Sequence, residues 1–154
     1  MVEISAAESK SDWATARGLF EEYAASLGFD LSFQDFDREV ASLPGDYSSP
    51  RGVILLALDG STAAGCVALR PLAGETCEMK RLYVRPSHRG TGLGKRLADA
   101  ILAEARARKY HRMRLDTVPG MEAAIALYRV LGFRDIDPYR ANPIPGAIFM
   151  EREL

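Results

Sequence analysis

A short glycine-rich segment is the part of the chain whose residue types could bind a ligand. Gly90, Gly92 and Gly94 lie between Arg89 and Lys95, after an apolar stretch and before a long periodic one. Glycine lacks a Cβ and tolerates positive φ, so such a backbone can approach a ligand closely. The first N–H groups of the helix that follows have no partner within that helix and lie at its positive end. The segment is therefore suited to a phosphate or pyrophosphate.

Two common phosphate-binding sequences do not match this segment. A P-loop requires Gly-x-x-x-x-Gly-Lys-Ser/Thr, but Arg89 stands where the first glycine belongs and Arg96 stands where the hydroxyl belongs. In the dinucleotide fingerprint Gly-x-Gly-x-x-Gly, Lys95 takes the place of the third glycine. A nucleotide hydrolase or a kinase is therefore disfavoured.

The pattern that does match is Arg-x-x-Gly-x-Gly at Arg89, Gly92 and Gly94. It resembles the acetyl-coenzyme A loop of the GCN5-related N-acetyltransferase (GNAT) superfamily, Arg/Gln-x-x-Gly-x-Gly/Ala. Residues 124–128, Ala-Ile-Ala-Leu-Tyr, and residues 131–133, Leu-Gly-Phe, resemble the second signature of that family. The loop alone would also fit a tight strand-to-helix turn without a ligand, but the two signatures together favour the family.

The resemblance covers nearly the whole chain and implies an α+β fold, an α/β/α sandwich. Its mixed, mostly antiparallel sheet has seven strands and about four helices, and its parallel fourth and fifth strands splay apart. At 154 residues, the chain is expected to be a single domain, residues 1–154. Periodicity and turn residues predict strands at 2–5, 53–58, 62–69, 76–84, 112–118, 133–136 and 147–153. They predict helices that begin at residue 9 or 11, 32, 93 and 119 and end near residues 27, 43, 109 and 131.

The resemblance also implies acetyl-coenzyme A as the co-substrate, with no metal. In the family, the pantetheine arm lies between the splayed strands and pairs with the fourth strand like an added strand. A backbone N–H there, that of Leu82, would stabilise the oxyanion of the reacting thioester. Met121 stands where the family often has an asparagine. Carried over residue by residue, the coenzyme contacts are Leu82, Tyr83, Val84, Arg89, Gly90, Thr91, Gly92, Leu93, Gly94, Lys95, Thr117 and Tyr128.

Two residues are candidates for proton transfer. An amine of pKa about 10.4 is protonated at pH 7, so a base that removes its proton contributes roughly 10²–10⁴ in rate. Glu78 matches the base of histone-acetylating family members; a salt bridge to Lys80 or to a nearby arginine is the alternative. Period-2 alternation places Glu78 on one face with Lys80, Leu82 and Val84, unless a bulge intervenes. Tyr128 matches the tyrosine that protonates the departing thiolate; an aromatic core residue is the alternative.

The acceptor would be a primary amine of a small molecule, an amino acid or a peptide, bound between the first two helices and the last strands. Arg81 would meet an acidic group of the acceptor or form a salt bridge. The leading hypothesis is an acetyl-coenzyme A-dependent N-acetyltransferase that works by direct attack in a ternary complex; the alternative is a non-catalytic acyl-coenzyme A-binding or sensing module. The candidate acceptor contacts, which could instead pack or cap the proline-rich loop, are Phe29, Glu78, Arg81, Tyr139 and Asn142, with Phe149 nearby.

Composition limits the partners and the compartment. A net charge of −1 argues against nucleic-acid binding, although ten acids in residues 1–50 could attract a cation and eleven bases in residues 80–114 surround the glycine loop. The alternative for both runs is a solvated helix face. No signal peptide or membrane-spanning run is present, and Cys66 and Cys77 form no metal or redox motif. We expect a cytoplasmic protein with free thiols and no membrane association; homodimers are common in the family.

Overall fold

A single mixed sheet organises the molecule. The structure, a computed structural model, describes residues 1–28, 31 and 35–154. Within these residues, seven strands form one sheet in the order β1-β2-β3-β4-β5-β7-β6. β4 and β5 are parallel and the other neighbouring pairs are antiparallel, which confirms the predicted sheet. The strands are β1 (Val2–Ala6), β2 (Val53–Asp59), β3 (Thr62–Ala73), β4 (Thr76–Val84), β5 (Arg112–Thr117), β6 (Arg134–Ile136) and β7 (Ile148–Glu153).

Helices cover both faces of this sheet, as the sandwich prediction requires. In the described part of the chain they are α1 (Lys10–Ser26), α2 (Phe36–Ala41), α3 (Leu93–Ala107) and α4 (Glu122–Val130). Ile54 and Leu56 of β2 pack with α1 and α2 in one apolar cluster, the α1-side core. Leu55 and Ala57 pack with α3, and with Tyr128 of α4, in a second cluster, the α3-side core. β2 is a continuous apolar run because both of its faces are buried.

The helix ends show where local sequence rules hold and where they fail. Ser9 and Asp12 form a capping box at α1: the Ser9 hydroxyl accepts the Asp12 N–H at 3.1 Å, and the Asp12 carboxylate accepts the Ser9 N–H at 3.2 Å. The prediction that Pro119 lies in the first turn of the fourth helix is wrong. Gly120 has φ +98°, so the chain turns there and α4 begins only at Glu122. Residues 32–34, the predicted start of the second helix, lie outside the described residues.

A β-bulge interrupts β4 in its second half. Cys66 and Ala68 of β3 are two residues apart, but their partners Tyr83 and Lys80 are three residues apart. The extra residue shifts the register, and Arg81 has φ +60°. A left-handed conformation is unusual for a residue with a long side chain, so other contacts must hold it in place.

The bulge changes which faces the side chains of β4 occupy. Glu78 and Lys80, before the bulge, lie on the face of α1 and α2, since the residues that alternate with them belong to the α3-side core. Leu82 and Val84, after the bulge, pack against the α3-side core, and Tyr83 belongs to the α1-side core. The bulge named as the exception to simple alternation is therefore present, and because an inserted residue reverses the alternation, Glu78 and Lys80 do not share a face with Leu82 and Val84.

β4 and β5 separate shortly after they meet. Their paired positions are Thr76 with Arg112, Cys77 with Met113, and Glu78 with Arg114, and pairing ends there although both strands continue. The predicted splayed parallel pair is present. It leaves a gap between the carboxyl ends of two central strands, and the polar backbone groups that border this gap lack a partner strand.

Candidate active site

The glycine loop opens onto a groove of about 660 Å³. The groove is lined by the end of β4, the start of α3 and the start of α4. Gly92, with φ +81°, is the residue that precedes α3, and its carbonyl accepts the first helical N–H bond from Arg96 at 3.1 Å. The N–H groups before Arg96 therefore have no helical acceptor. A Cβ added at Gly90 or Gly92 would meet no atom within 4 Å, so both positions border open space.

The basic side chains of the loop differ in their surroundings. Arg89 lines the groove; its Nε donates to the Val84 carbonyl at 2.9 Å, and its guanidinium lies 5.9 Å from the centre of the Tyr83 ring. Lys95 forms an exposed ion pair with Asp99 at 2.8 Å, one helical turn further on. Arg89 is therefore already positioned at the groove, whereas Lys95 would have to leave Asp99 to reach a ligand.

A smaller cavity of about 30 Å³ lies in the gap between β4 and β5. Tyr23, Leu82 and Met121 line both this cavity and the groove, so the cavity is the inner end of the groove. Its remaining wall consists of residues from β4, the end of β5 and α4: Met79, Lys80, Arg81, Leu115, Asp116, Thr117 and Tyr128. The structure thus brings Leu82, Thr117 and Tyr128 together, as the sequence predicted.

Tyr128 is a buried wall residue of this cavity. Its side chain is 7% exposed and its ring meets Phe133 edge to face at 5.9 Å. Burial raises the pKa of Tyr128 above its usual value of 10, and the nearby Tyr23 and Asp116 add to the effect. The hydroxyl therefore stays protonated throughout the neutral range and can act as a proton donor.

Glu78 lies at the centre of a buried ion network. It is 0% exposed; Arg70 donates to Oε1 at 2.9 Å, Tyr139 donates to Oε2 at 2.7 Å, and Arg140 also binds Oε2. Burial acts to raise the pKa of the Glu78 carboxyl. The positive charges of Lys80, Arg70 and Arg140 outweigh burial and hold that pKa below its usual value. The arginine salt bridge considered as the alternative for Glu78 is therefore present.

The loop between β6 and β7 crosses the ends of the splayed strands. Tyr139 binds Glu78 of β4, and Asn142 donates from Nδ2 to Asp116 of β5 at 3.2 Å. Phe149 supports Tyr139 edge to face at 5.3 Å. The loop residues predicted to contact the acceptor thus lie beside the cavity, held by carboxylates of both strands.

Arg81 and Phe29 complete the predicted acceptor set. The Arg81 guanidinium, 2% exposed, forms two hydrogen bonds of 2.9 Å with the Glu39 carboxylate of α2. It also lies 5.2 Å from the centre of the Phe36 ring. The salt-bridge alternative for Arg81 is therefore present, and this pair fixes the bulge of β4 against α2. Phe29 lies outside the described residues.

Sequence reasoning missed several residues of the site. Arg70 stands directly opposite Glu78 in the β3–β4 register, so an opposite-charge cross-strand pair could have been found from the predicted hairpin. Tyr23 lies within the first predicted helix and matches no signature, yet it lines both the groove and the cavity. Asp116 and Arg140 carried no motif, because their roles depend on how β5 and the β6–β7 loop meet in space.

Two further searches concern metals and membranes. Among residues 1–28, 31 and 35–154, no group of three or more His, Cys, Asp or Glu side chains could hold a metal ion. In the same residues, no helix is both long and apolar enough to cross a bilayer.

Comparison with known proteins identifies the family. Residues 13–133 match the model of the acetyltransferase (GNAT) family. An uncharacterised N-acetyltransferase of Schizosaccharomyces pombe is 41% identical over 155 residues, which cover 99% of this chain and 95% of the relative. The chain therefore belongs to the acetyltransferase (GNAT) family, as its two signatures predicted, and is an N-acetyltransferase of that family.

Solved structures share the same fold. An acetyltransferase from Streptococcus agalactiae superposes with a TM-score of 0.80 at 23% identity and covers 99% of this chain and 98% of its own. The PaiA N-acetyltransferase of Thermoplasma acidophilum, solved in complex with coenzyme A, superposes with a TM-score of 0.76 at 19% identity. The match covers 100% of this chain and 99% of the PaiA chain. At these identities the likeness concerns the fold, and it confirms the predicted GNAT architecture.

Proposed function

We propose that this protein transfers the acetyl group of acetyl-coenzyme A to a primary amine of a small molecule, an amino acid or a peptide, by direct attack in a ternary complex. The observation that carries the proposal is the continuity of the groove, which begins at the unpaired N–H groups of α3 and ends beside Tyr128 between the splayed strands. Acetyl-coenzyme A carries a diphosphate and, at the far end of its pantetheine arm, a thioester. The N–H groups of α3 would bind the diphosphate, and the thioester would lie beside Tyr128. A single domain of residues 1–154 in the cytoplasm is the simplest setting.

The groove offers a partner to each part of the coenzyme. The N–H groups of residues 90–95 would bind the diphosphate at the positive end of α3. Arg89 would add a charge-assisted bond, since its two terminal nitrogens are separate from the Nε that binds Val84. The backbone of residues 82–84 would pair with the pantetheine arm, and Thr117 and Tyr128 would contact its thiol end. Family membership supports this assignment, and the PaiA enzyme shows that the fold can hold coenzyme A.

The bulge in β4 supplies an oxyanion donor in this proposal. Arg81 and Leu82 have no partner residue in β3, and β5 has already diverged after Glu78. Leu82 lines the cavity and has no residue of β3 registered opposite it, so in this proposal its N–H faces the thioester oxygen. A fixed N–H donor at the thioester oxygen is typically worth about 10²–10³ in rate.

Tyr128 would act on the leaving group. As the C–S bond breaks, the coenzyme A thiolate forms next to its hydroxyl. A free thiol has a pKa of about 8.5, and a thiolate in a dry cavity is more basic because burial disfavours charge. The raised pKa of Tyr128 keeps the hydroxyl protonated until that moment.

Glu78, the sequence candidate for the base, would have a different main role. Both of its oxygens already accept hydrogen bonds from cationic or hydroxyl donors, and its pKa is lowered. We therefore propose that Glu78 holds Tyr139 and Arg140 of the β6–β7 loop over the strand ends, so that the acceptor meets an ordered surface.

Two measurements test the proposal. Coenzyme A binding is measured by calorimetry, and release of free thiol from acetyl-coenzyme A is followed with a panel of small amines, amino acids, polyamines, aminoglycosides and peptides. Binding together with thiol release for at least one amine is the expected result. Binding without turnover across the panel would favour the alternative, an acyl-coenzyme A sensing module. Absence of binding would refute both.

A further inference from the structure

We propose that Asp116 receives the ammonium group of the acceptor and takes its proton, and that the Asn142 amide occupies this carboxylate in the free protein. The inference rests on the proposed function and assigns the proton acceptor of that reaction. An aliphatic amine of pKa about 10.4 arrives protonated near pH 7. It therefore needs an anionic contact and a base at the place where it meets the thioester.

Asp116 lies at that place. Met113 and Leu115 of β5 belong to the α3-side core, so Asp116, which alternates with them, belongs to the face that carries Glu78. Asp116 lines the cavity at the inner end of the groove together with Tyr128, and the charge of its carboxylate acts on both Tyr128 and Lys80. The cavity of about 30 Å³ is large enough for one water molecule, and an ammonium group is of similar size. A proton acceptor and a proton donor thus face the same small space.

The availability of Asp116 distinguishes it from Glu78. Glu78 does not line the cavity, and arginines and Tyr139 occupy both of its oxygens. Within the described residues, the Asp116 carboxylate accepts one side-chain hydrogen bond and forms no ion pair. That bond, from Asn142, measures 3.2 Å, at the long end of the usual range for N–H···O bonds. An incoming ammonium can replace a neutral amide there, because a charge-assisted hydrogen bond is the stronger one.

Two cationic residues of β4, Lys80 and Arg81, also line the cavity, and the Arg81 guanidinium is paired with Glu39. Lys80 needs separate consideration. Burial, followed by the charge of Arg81, lowers its pKa to about 8. At neutral pH it is still mostly protonated, so it repels an ammonium group and cannot accept a proton.

The reaction balances with these groups. The ammonium gives one proton to the Asp116 carboxylate, and the neutral amine attacks the thioester carbon to form the C–N bond while the carbonyl electron pair moves to oxygen. When the C–S bond breaks, the thiolate takes the hydroxyl proton of Tyr128. The nitrogen then carries one proton too many, and this proton returns to the Tyr128 phenolate. Asp116 releases its proton to solvent, so the products are amide, free thiol and one proton.

Binding can be tested without turnover. The wild-type protein, with no acetyl donor, is titrated with ethylammonium chloride while the side-chain amide resonances of Asn142 are followed by NMR. A saturable shift that sodium chloride and ethanol do not reproduce is expected, because the ammonium displaces the amide from Asp116. The shift should vanish in Asp116→Asn. It should persist in the matched control Asp137→Asn, because Asp137 is an exposed aspartate of the β6–β7 loop, the loop that carries Asn142. Wild-type resonances that do not move would overturn the proposal.

Kinetics tests the proton transfer, with the panel amine that turns over fastest. Asp116→Asn should lower kcat/KM by about 10²–10⁴ and leave acetyl-coenzyme A affinity unchanged, and Asp116→Glu should restore part of the loss. Asn142→Ala should lower the KM for the amine, because the competing amide is gone. An Asp116→Asn protein with wild-type kcat/KM would overturn the inference and leave the proposed function intact. If ethylammonium binds at Asp116 but no amine of the panel is acetylated, the proposed acetyltransferase function is refuted, whereas Asp116 is still shown to bind an ammonium group.

Discussion

Replacing Tyr128 by phenylalanine removes one oxygen and leaves the ring in place. The ring is 7% exposed and packs edge to face on Phe133 at 5.9 Å, contacts that phenylalanine can keep. The free energy of unfolding should therefore change by less than about 1.5 kcal/mol. Loss of the proton donor should lower kcat by roughly 10²–10⁴, equivalent to ~3–5 kcal/mol of transition-state stabilisation. Coenzyme affinity should hold, because the N–H groups at the mouth of the groove are unchanged.

The assay for this variant can use a thiol reagent directly. Cys66 and Cys77 are 0% exposed, and burial raises the pKa of both thiols, that of Cys77 to about 12. The protein therefore contributes little reactive thiolate, and the signal reports coenzyme A. Turnover of Tyr128→Phe within about twofold of wild type would refute the role of Tyr128 as a proton donor. A matching loss of kcat and of coenzyme affinity would point to a disturbed groove instead.

Three further predictions follow from the charged groups. Arg89→Ala should weaken coenzyme A binding by about tenfold, and by less at high salt. Lys95→Ala should change this affinity little, because Lys95 pairs with Asp99. Calorimetry at two salt concentrations checks both variants. Arg81→Met should lower the unfolding free energy by about 3–5 kcal/mol, since it leaves the Glu39 carboxylate without its buried partner. In urea titrations, the double variant Arg81→Met/Glu39→Met should recover part of this free energy. The folded-state pKa of Glu78 lies below its ordinary value of 4.5. The ionised carboxylate therefore stabilises the fold above pH 4.5, and this contribution is lost as pH falls through the folded-state pKa. In urea titrations, the unfolding free energy of Glu78→Gln should fall less steeply with acid than that of the wild type.

The geometry of the glycine loop and of the strand before it could be predicted because its requirements are local. Gly90 and Gly92 adopt φ of +77° and +81°, which few other residues tolerate, so their positions in the sequence already define the loop. The apolar repeat after the loop placed the start of α3 at Leu93, where the structure has it. Strand β4 was predicted over its observed range, Thr76–Val84, because turn residues bound it on both sides.

The part of the site proposed for the acceptor depends on contacts that no local pattern encodes. The bulge at Arg81 is held by Glu39, 42 positions earlier in the chain, and without it the faces of Glu78 and Leu82 cannot be assigned. The contact of Asn142 with Asp116 joins a proline-rich loop to a strand 26 positions away. Such pairs arise from the packing of the finished sheet, so side-chain periodicity gives no sign of them.

The inserted residue in β4 separates two tasks along one strand. Before it, Glu78 and Lys80 lie on the face that would meet the acceptor in the proposed function; after it, Leu82 and Val84 lie where the coenzyme would bind. If that proposal holds, substitutions before the bulge should change which amines are accepted without weakening the binding of the acyl donor. Acceptor specificity could then diverge among relatives while the donor stays the same.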